Sequence, residues 1–234
     1  MLLDIDDLHV RYADTVDALG GVSLSIAGAE RVGLIGPNGA GKTTLMLAIM
    51  NAVRFRGRIT VDGVAVSKNT EHQTRGRCGM IFQDAADHLF MPTLLDDVAF
   101  GPLNQGCDAG EAQRLAGAAI AQVGLTGLEQ RSAHHMSGGQ QRAAALATVL
   151  AMRVKLLLLD EPAANLDHRS RRRLIEMLAE RNEAMLLASH DLPLVRRLCS
   201  RVVLMDQGQI VADGPAAALL ADTTLLSAHG LGDE

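Results

Sequence analysis

Residues 36–44, GPNGAGKTT, fit the pattern GxxxxGK[ST] and follow the apolar run RVGLI at 31–35. A strand that ends in such a loop and continues as the helix-like TTLMLAIM constrains the chain to an α/β arrangement around that junction. Gly36, Gly39 and Gly41 let the backbone between Pro37, Asn38 and Ala40 curl so that N–H groups point inward, and the helix starting near Lys42 aims its positive end at the same place. A polyphosphate is the natural guest. Lys42 would reach its β and γ phosphates, and Thr43, followed by Thr44, would give a hydroxyl oxygen to a Mg²⁺ ion that keeps most of its waters.

At 234 residues the chain accommodates one well-buried core with an insertion, not two full domains of separate function. The 22 Lys and Arg are outnumbered by 27 Asp and Glu, so no overall basic field draws it to nucleic acid. Aromatics make up 2%, which argues against a base-stacking platform for single strands. The three cysteines lack any CxxC spacing and fit a reducing compartment. The start MLLDIDDLHV is acidic where a signal peptide would be basic. No run approaches the roughly 18 apolar residues of a spanning helix. The expectation is a soluble chain that meets a membrane only through partners.

LDIDDLHVRY and GVSLSI alternate apolar and polar residues, and with RVGLIG after Gly28 they read as an antiparallel β opening. The loop helix extends to about Asn51, RITVDGVAV reads as a hairpin about Asp62-Gly63, and CGMIF as a short buried strand ending at Gln83. Residues 84–152, with Pro92, Pro102 and two Ala-rich stretches, read as an inserted helical subdomain. The core, 1–83, resumes over 153–234 with KLLLLDEP, a continuous apolar run typical of a parallel strand covered on both faces. A helix over 168–180, the strand AMLLAS, the helix DLPLVRRLC and the strand RVVLM continue the alternation. The chain then turns at Asp206-Gln207-Gly208 into QIVADG, and the tail from Pro215 is helix and loose end.

Asp160 and Glu161 stand just beyond the end of the LLLLD strand, where open α/β sheets bind ligands. Asp160 would hold Mg²⁺ through a water and Glu161 would act as general base on an attacking water. The decisive segment is MSGGQQR, 136–142. Here the chain resembles the ATP-binding-cassette (ABC) ATPases, in which SGGQ caps the γ phosphate of an ATP held by the opposite subunit. Ser137, Gly138, Gly139 and Gln140 match residue by residue, and only the preceding Leu is replaced, by Met136.

The resemblance covers nearly the whole chain and implies an α/β fold: a P-loop NTPase (RecA-like) core with an antiparallel β subdomain and an inserted α-helical subdomain. ATP and Mg²⁺ are the implied cofactors. Tyr12 falls where the family stacks an aromatic on adenine, although it also suits a strand face. Gln83 matches the Q-loop glutamine that senses Mg²⁺ and the γ phosphate, Asn165-Leu166-Asp167 the D-loop facing across the dimer, and His190 the switch histidine. The implied mechanism is a head-to-tail dimer in which each ATP lies between one phosphate loop and the other subunit's Ser137 turn. A complete motif set favours a homodimer.

FQDAADHLFMPTLLDDVAFGPLNQG, 82–106, resembles the same region of energy-coupling-factor importer ATPases, particularly those for cobalt and nickel, with Ala85, His88 and Leu94-Leu95 departing from the usual residues. The implied partners are a second ATPase subunit, an integral-membrane scaffold and a substrate-binding membrane subunit, at the cytoplasmic face of the membrane. Leu89, Phe90, Met91 and Phe100 would contact the scaffold or form the subdomain's own core. His88 and His134-His135 offer no shared face for a transported metal. The basic cluster Arg169, Arg171, Arg172, Arg173 reads as a solvated helix face. The alternatives are a vitamin importer of the same type, an exporter cassette, or a soluble non-transport cassette protein.

Overall fold

The apolar residues of the first strand are unevenly spaced, at Leu3, Ile5, Leu8 and Val10, and that spacing requires a bulge. In the computed structural model, which describes residues 1–12, 17–82, 88–164 and 166–232, all four side chains are buried in β1 (Leu3–Arg11). β1 pairs antiparallel with β2 (Asp17–Ile26), and the register shifts between Ile5 and Leu8, where Asp7 has a left-handed φ of 48°. The shift keeps both apolar pairs on one face, which strict alternation would not do. On its other side β1 pairs with β4 (Arg56–Val61), which turns through Asp62 and Gly63, φ 51° and 75°, into β5 (Val64–Ala65). Two successive left-handed residues are what an Asp-Gly hairpin supplies.

β3 (Arg31–Ile35) does not join this antiparallel sheet, contrary to the sequence reading. It lies parallel between β8 (Ala184–Ala188) and β9 (Arg201–Asp206). The reason is burial: Val32, Leu34 and Ile35 are each 0% exposed, so β3 needs cover on both faces. β7 (Leu156–Asp160) pairs parallel with β8, and β10 (Gln209–Pro215) closes the other edge antiparallel to β9. The order β10-β9-β3-β8-β7 therefore puts the ends of β3, β8 and β7 side by side. β6 (Cys78–Ile81) is buried at all four residues, as CGMIF requires.

The chain divides into two compact units. The first comprises Met1–Cys78, Lys155–Asp160 and Asn182–Glu234 and carries both sheets just described. Its helices are α1 (Lys42–Ile49), the five-residue α2 (Glu71–Arg75), α7 (Leu192–Leu198) and, in the tail, α8 (Ala216–Leu219) and α9 (Thr223–Ala228).

The second unit comprises Gly79–Val154 and Glu161–Arg181. It holds α3 (Leu94–Asn104), α4 (Ala109–Gln122), α5 (Gly138–Ala151) and α6 (His168–Ala179). The sequence reading gave α6 to the core alternation, but its contacts group it with these helices. α3 runs through Pro102. Each of the four helices starts on a side-chain cap, from Thr93, Asp108, Ser137 and Asp167. Ala112, Ala116, Ala144, Ala145 and Ala147 are fully buried, and such small side chains let the helices approach closely.

Candidate nucleotide-binding site

β3 ends at Ile35 and α1 begins at Lys42, so the loop between them sits at the carboxyl edge of the parallel sheet. Gly36 is buried under the end of β9: a Cβ there would lie 2.1 Å from the Met205 carbonyl oxygen, which only glycine avoids. Pro37 is half-buried, Asn38 and Gly39 are exposed at the crest, and Ala40 is buried again. Gly39 and Gly41 have φ of 81° and 99°, as the inward curl of the backbone expects. Ala40 is held from outside the loop, its carbonyl accepting the Gly208 N–H at 3.1 Å.

Lys42 folds over this loop and is 9% exposed, its Nζ donating to the carbonyls of Gly36 at 2.6 Å and Pro37 at 2.9 Å. The ammonium thus stays over the space the loop encircles. One residue on, the Thr43 hydroxyl donates to Oδ2 of Asp160 at 2.6 Å, a contact that reaches across β8 from the end of β3 to the end of β7. The sequence reading assigned both residues to Mg²⁺. A hydroxyl and a carboxylate this close form the hard oxygen pair that such an ion takes, and so they fit it. The Tyr12 hydroxyl lies 3.4 Å from the Thr44 hydroxyl, which places the ring, 41% exposed, beside the start of α1.

His190 is exposed just past β8, the strand between β3 and β7. Ser189 before it is buried and bonds by its N–H to the Leu34 carbonyl at 3.2 Å. Asp191 after it accepts from the Leu194 N–H and caps α7. The histidine is therefore fixed on both sides by backbone anchors.

In the second unit, Ser137 and Gln140 are turned on each other. The Ser137 Oγ accepts the Gln140 N–H at 3.3 Å, and the Gln140 side-chain oxygen accepts the Ser137 N–H at 3.0 Å. This is a capping box, and the S-x-x-Q spacing that encodes it was legible in the sequence but not drawn out there. It fixes the opening turn of α5, where the N–H groups of Gly138 and Gly139 and the positive helix end face outward. A cleft of about 220 Å³ beside the turn is lined in part by Ser137, Gly139, Gln140, Ser170 and Arg173. That is below the roughly 300 Å³ where small-molecule sites begin, so this surface does not enclose a nucleotide by itself. Asp167 caps α6, accepting from the Ser170 N–H at 2.9 Å and its hydroxyl at 3.0 Å. Those two bonds hold its carboxyl below the usual carboxylate range.

Glu161 is 9% exposed and has a left-handed φ of 47°. Arg142, buried in α5, donates from Nη1 to the Glu161 carbonyl at 3.2 Å. The sequence reading quoted Arg142 within the signature segment but gave it no role. Here it is an anchor for the strained backbone of the acidic residue. Gln83 and Asn165 lie outside the described residues.

Of the departures from the importer pattern over 82–106, His88 has a local explanation, and Ala85 lies outside the described residues. His88 Nε2 accepts the Phe82 N–H at 2.8 Å, with the two rings 5.0 Å apart. Leu89 is buried, whereas Phe90 and Phe100 are 65% and 40% exposed and pack edge to face with centroids 5.1 Å apart. Leu89 thus belongs to the subdomain's own core, while the two phenylalanines do not. Asp97 fixes the presentation, its buried Oδ1 accepting the N–H groups of Phe90 and Met91, each at 2.9 Å. Burial pushes the Asp97 carboxyl up, against the lowering effect of those two bonds.

A loop of this geometry at a parallel sheet's carboxyl edge, with Thr43 on the strand-end Asp160, defines a P-loop nucleotide-binding protein. The family model described as "ABC transporter" matches residues 19–164. The chain belongs to that family, as an ATP-hydrolysing ABC transporter ATPase domain. It is 45% identical over 98% of its length, and 88% of the relative's, to a putative ABC transporter ATP-binding protein of Streptomyces coelicolor. It is 38% identical over 98% of its length, and 84% of the relative's, to the cobalt import ATP-binding protein CbiO of Rhodobacter capsulatus. Among solved structures, CbiO1 of Clostridium perfringens, described as part of the ABC transporter complex CbiONQ, superposes with a TM-score of 0.83 at 29% identity, covering 98% of this chain and 94% of that one.

Proposed function

We propose that the chain is the ATPase subunit of an energy-coupling-factor importer for cobalt or nickel, acting as a head-to-tail homodimer at the cytoplasmic face of a membrane. The observation that carries the reading is the Thr43–Asp160 contact at 2.6 Å beside Lys42, a charge arrangement suited to a nucleotide polyphosphate. The loop from Gly36 to Thr44 would cradle the phosphates, and Tyr12 would stack on the base. Mg²⁺, when bound, would neutralise phosphate charge, with Thr43, Asp160 and Gln83 as its protein contacts. Glu161 would take a proton from the attacking water, and His190 and Gln83 would sense the γ phosphate. Ser137, Gly138, Gly139 and Gln140, with Asp167, would complete the site of the opposite subunit.

The helical subdomain, 84–152, would receive the membrane scaffold through Phe90 and Phe100. Support comes from their exposure and from the resemblance of 82–106 to cobalt and nickel importers. The name of the Rhodobacter relative points to the same cargo. Among the described residues no helix is long and apolar enough to cross a membrane, so a scaffold would supply that contact. The test is to isolate the chain with its partners from detergent-solubilised membranes, identify them by mass spectrometry and reconstitute the complex in vesicles. ATP-driven cobalt or nickel uptake is the expected result. Uptake of a vitamin, or recovery with an exporter scaffold, would reject the cargo reading.

A further inference from the structure

The turn that buttresses the phosphate loop is itself gripped by the tail of the chain. β9 and β10 are joined by Gln207 and Gly208, with φ of 45° and 76°. Gly208 reaches both ways: its N–H donates to the Ala40 carbonyl at 3.1 Å, and its carbonyl accepts the Gly20 N–H at 2.9 Å. Only glycine fits there, since a Cβ would lie 2.7 Å from the Ala18 carbonyl oxygen.

Asp206 opens this turn, and its Oδ2 lies 2.7 Å from Nδ1 of His229. A carboxylate only accepts, so Nδ1 carries the proton. His229 sits at the carboxyl end of α9, where its position is set by a Schellman-type pair of bonds, Leu231 N–H to the Leu226 carbonyl at 2.8 Å and Gly230 N–H to the Ser227 carbonyl at 3.2 Å. At its other end α9 is capped by the Asp222 carboxylate, which accepts the Leu225 N–H at 2.9 Å. Leu226 is buried, but a cleft of about 710 Å³ lies along α7 and the tail, lined by Leu192, Arg196, Thr223, Leu226 and Leu231 among others. Both side chains of the His229–Asp206 contact are only about a quarter exposed, at 22% and 25%, which shields it from solvent.

We propose that α9 is a brace for the phosphate loop: His229 holds Asp206, the turn from Asp206 to Gly208 holds Ala40, and His229 is thereby a positioning residue for nucleotide binding. The inference rests on the loop's binding of nucleotide. It assigns a role to the C-terminal segment that neither the phosphate loop nor the signature turn supplies.

The test measures a fluorescent ADP analogue binding to the full chain, wild type against His229→Ala, Asp206→Ala, the double variant and His229→Asn. His229→Ala should weaken affinity about three- to tenfold, the scale of positioning effects relayed through packed elements. The double variant should be no weaker than either single one, because both remove one contact. His229→Asn should recover most of the loss, since its amide donates from nearly the same place as Nδ1. Turnover at saturating ATP should be unchanged, so the effect appears in KM. A His229→Ala variant with lowered Tm and unaltered affinity overturns the brace and leaves a merely structural contact. If the wild type bound no analogue, the nucleotide reading would fail instead, and amide exchange would decide the brace: faster exchange at residues 40–42 in His229→Ala supports it, and unchanged exchange rejects it.

Discussion

In the first unit, Lys42 and Thr43 direct their polar atoms at the phosphate loop and Asp160, around a space for a ligand. In the second, Ser137 and Gln140 direct theirs at each other, closing the start of α5. The first arrangement is a charged one, an ammonium on two loop carbonyls beside a hydroxyl on a carboxylate. The second is a rigid turn that keeps its own side chains satisfied and offers backbone N–H groups and a helix end to something outside it.

The largest effects should come from disabling each half separately. Lys42→Ala removes the ammonium and should abolish nucleotide binding, and Ser137→Arg destroys the capping box, so both should reduce ATPase turnover to background. Mixing the two inactive proteins should regain part of the activity, because one heterodimer site then pairs an intact Lys42 with an intact Ser137. Full turnover by Ser137→Arg alone would break the comparison. Glu161→Gln should still bind MgATP but hydrolyse it at least about 100-fold more slowly, the scale of a lost general base. It should also run as a dimer with ATP on a sizing column; near wild-type turnover would end the base assignment.

Smaller effects sharpen the contrast. Tyr12→Ala should weaken ATP and GTP alike by about 1 kcal/mol, roughly fivefold, if the ring stacks on the base. An unchanged dissociation constant would return Tyr12 to a strand-face role. The least effect concerns Asp97, whose raised pKa leaves the folded chain protonated where the unfolded chain is already ionised. Its contribution to stability is full below the ordinary aspartate value and is lost as pH rises through the raised one. Chemical denaturation from about pH 4 to neutrality should show that slope in the wild type and a flatter one in Asp97→Asn. Equal slopes would contradict the burial effect.

Strands with continuous apolar runs, such as LLLLD and AMLLA, were legible because burial on both faces leaves no polar position to misread. The loop and Asp160 were legible because their spacing is chemical. What escaped was of three kinds. Glu71–Arg75 is too short for an apolar stripe, and only Thr74 among its residues is buried. α3 was not read as a helix of its own, since Leu94–Asn104 is not Ala-rich and carries Pro102 in its last turn. The contacts Gly208–Ala40, Arg142–Glu161 and His229–Asp206 join residues distant in the chain or tied by backbone carbonyls, and no local pattern announces them.

The left-handed backbone at Glu161 has an evolutionary and engineering consequence. A non-glycine residue there carries about 1 to 2 kcal/mol of strain that glycine would relieve. The substitution that relieves this strain, Glu161→Gly, also removes the carboxylate, and a library sorted on heat resistance alone would enrich it. Sorting on both heat resistance and ATP turnover would keep the acidic residue and push stabilising changes elsewhere in the chain.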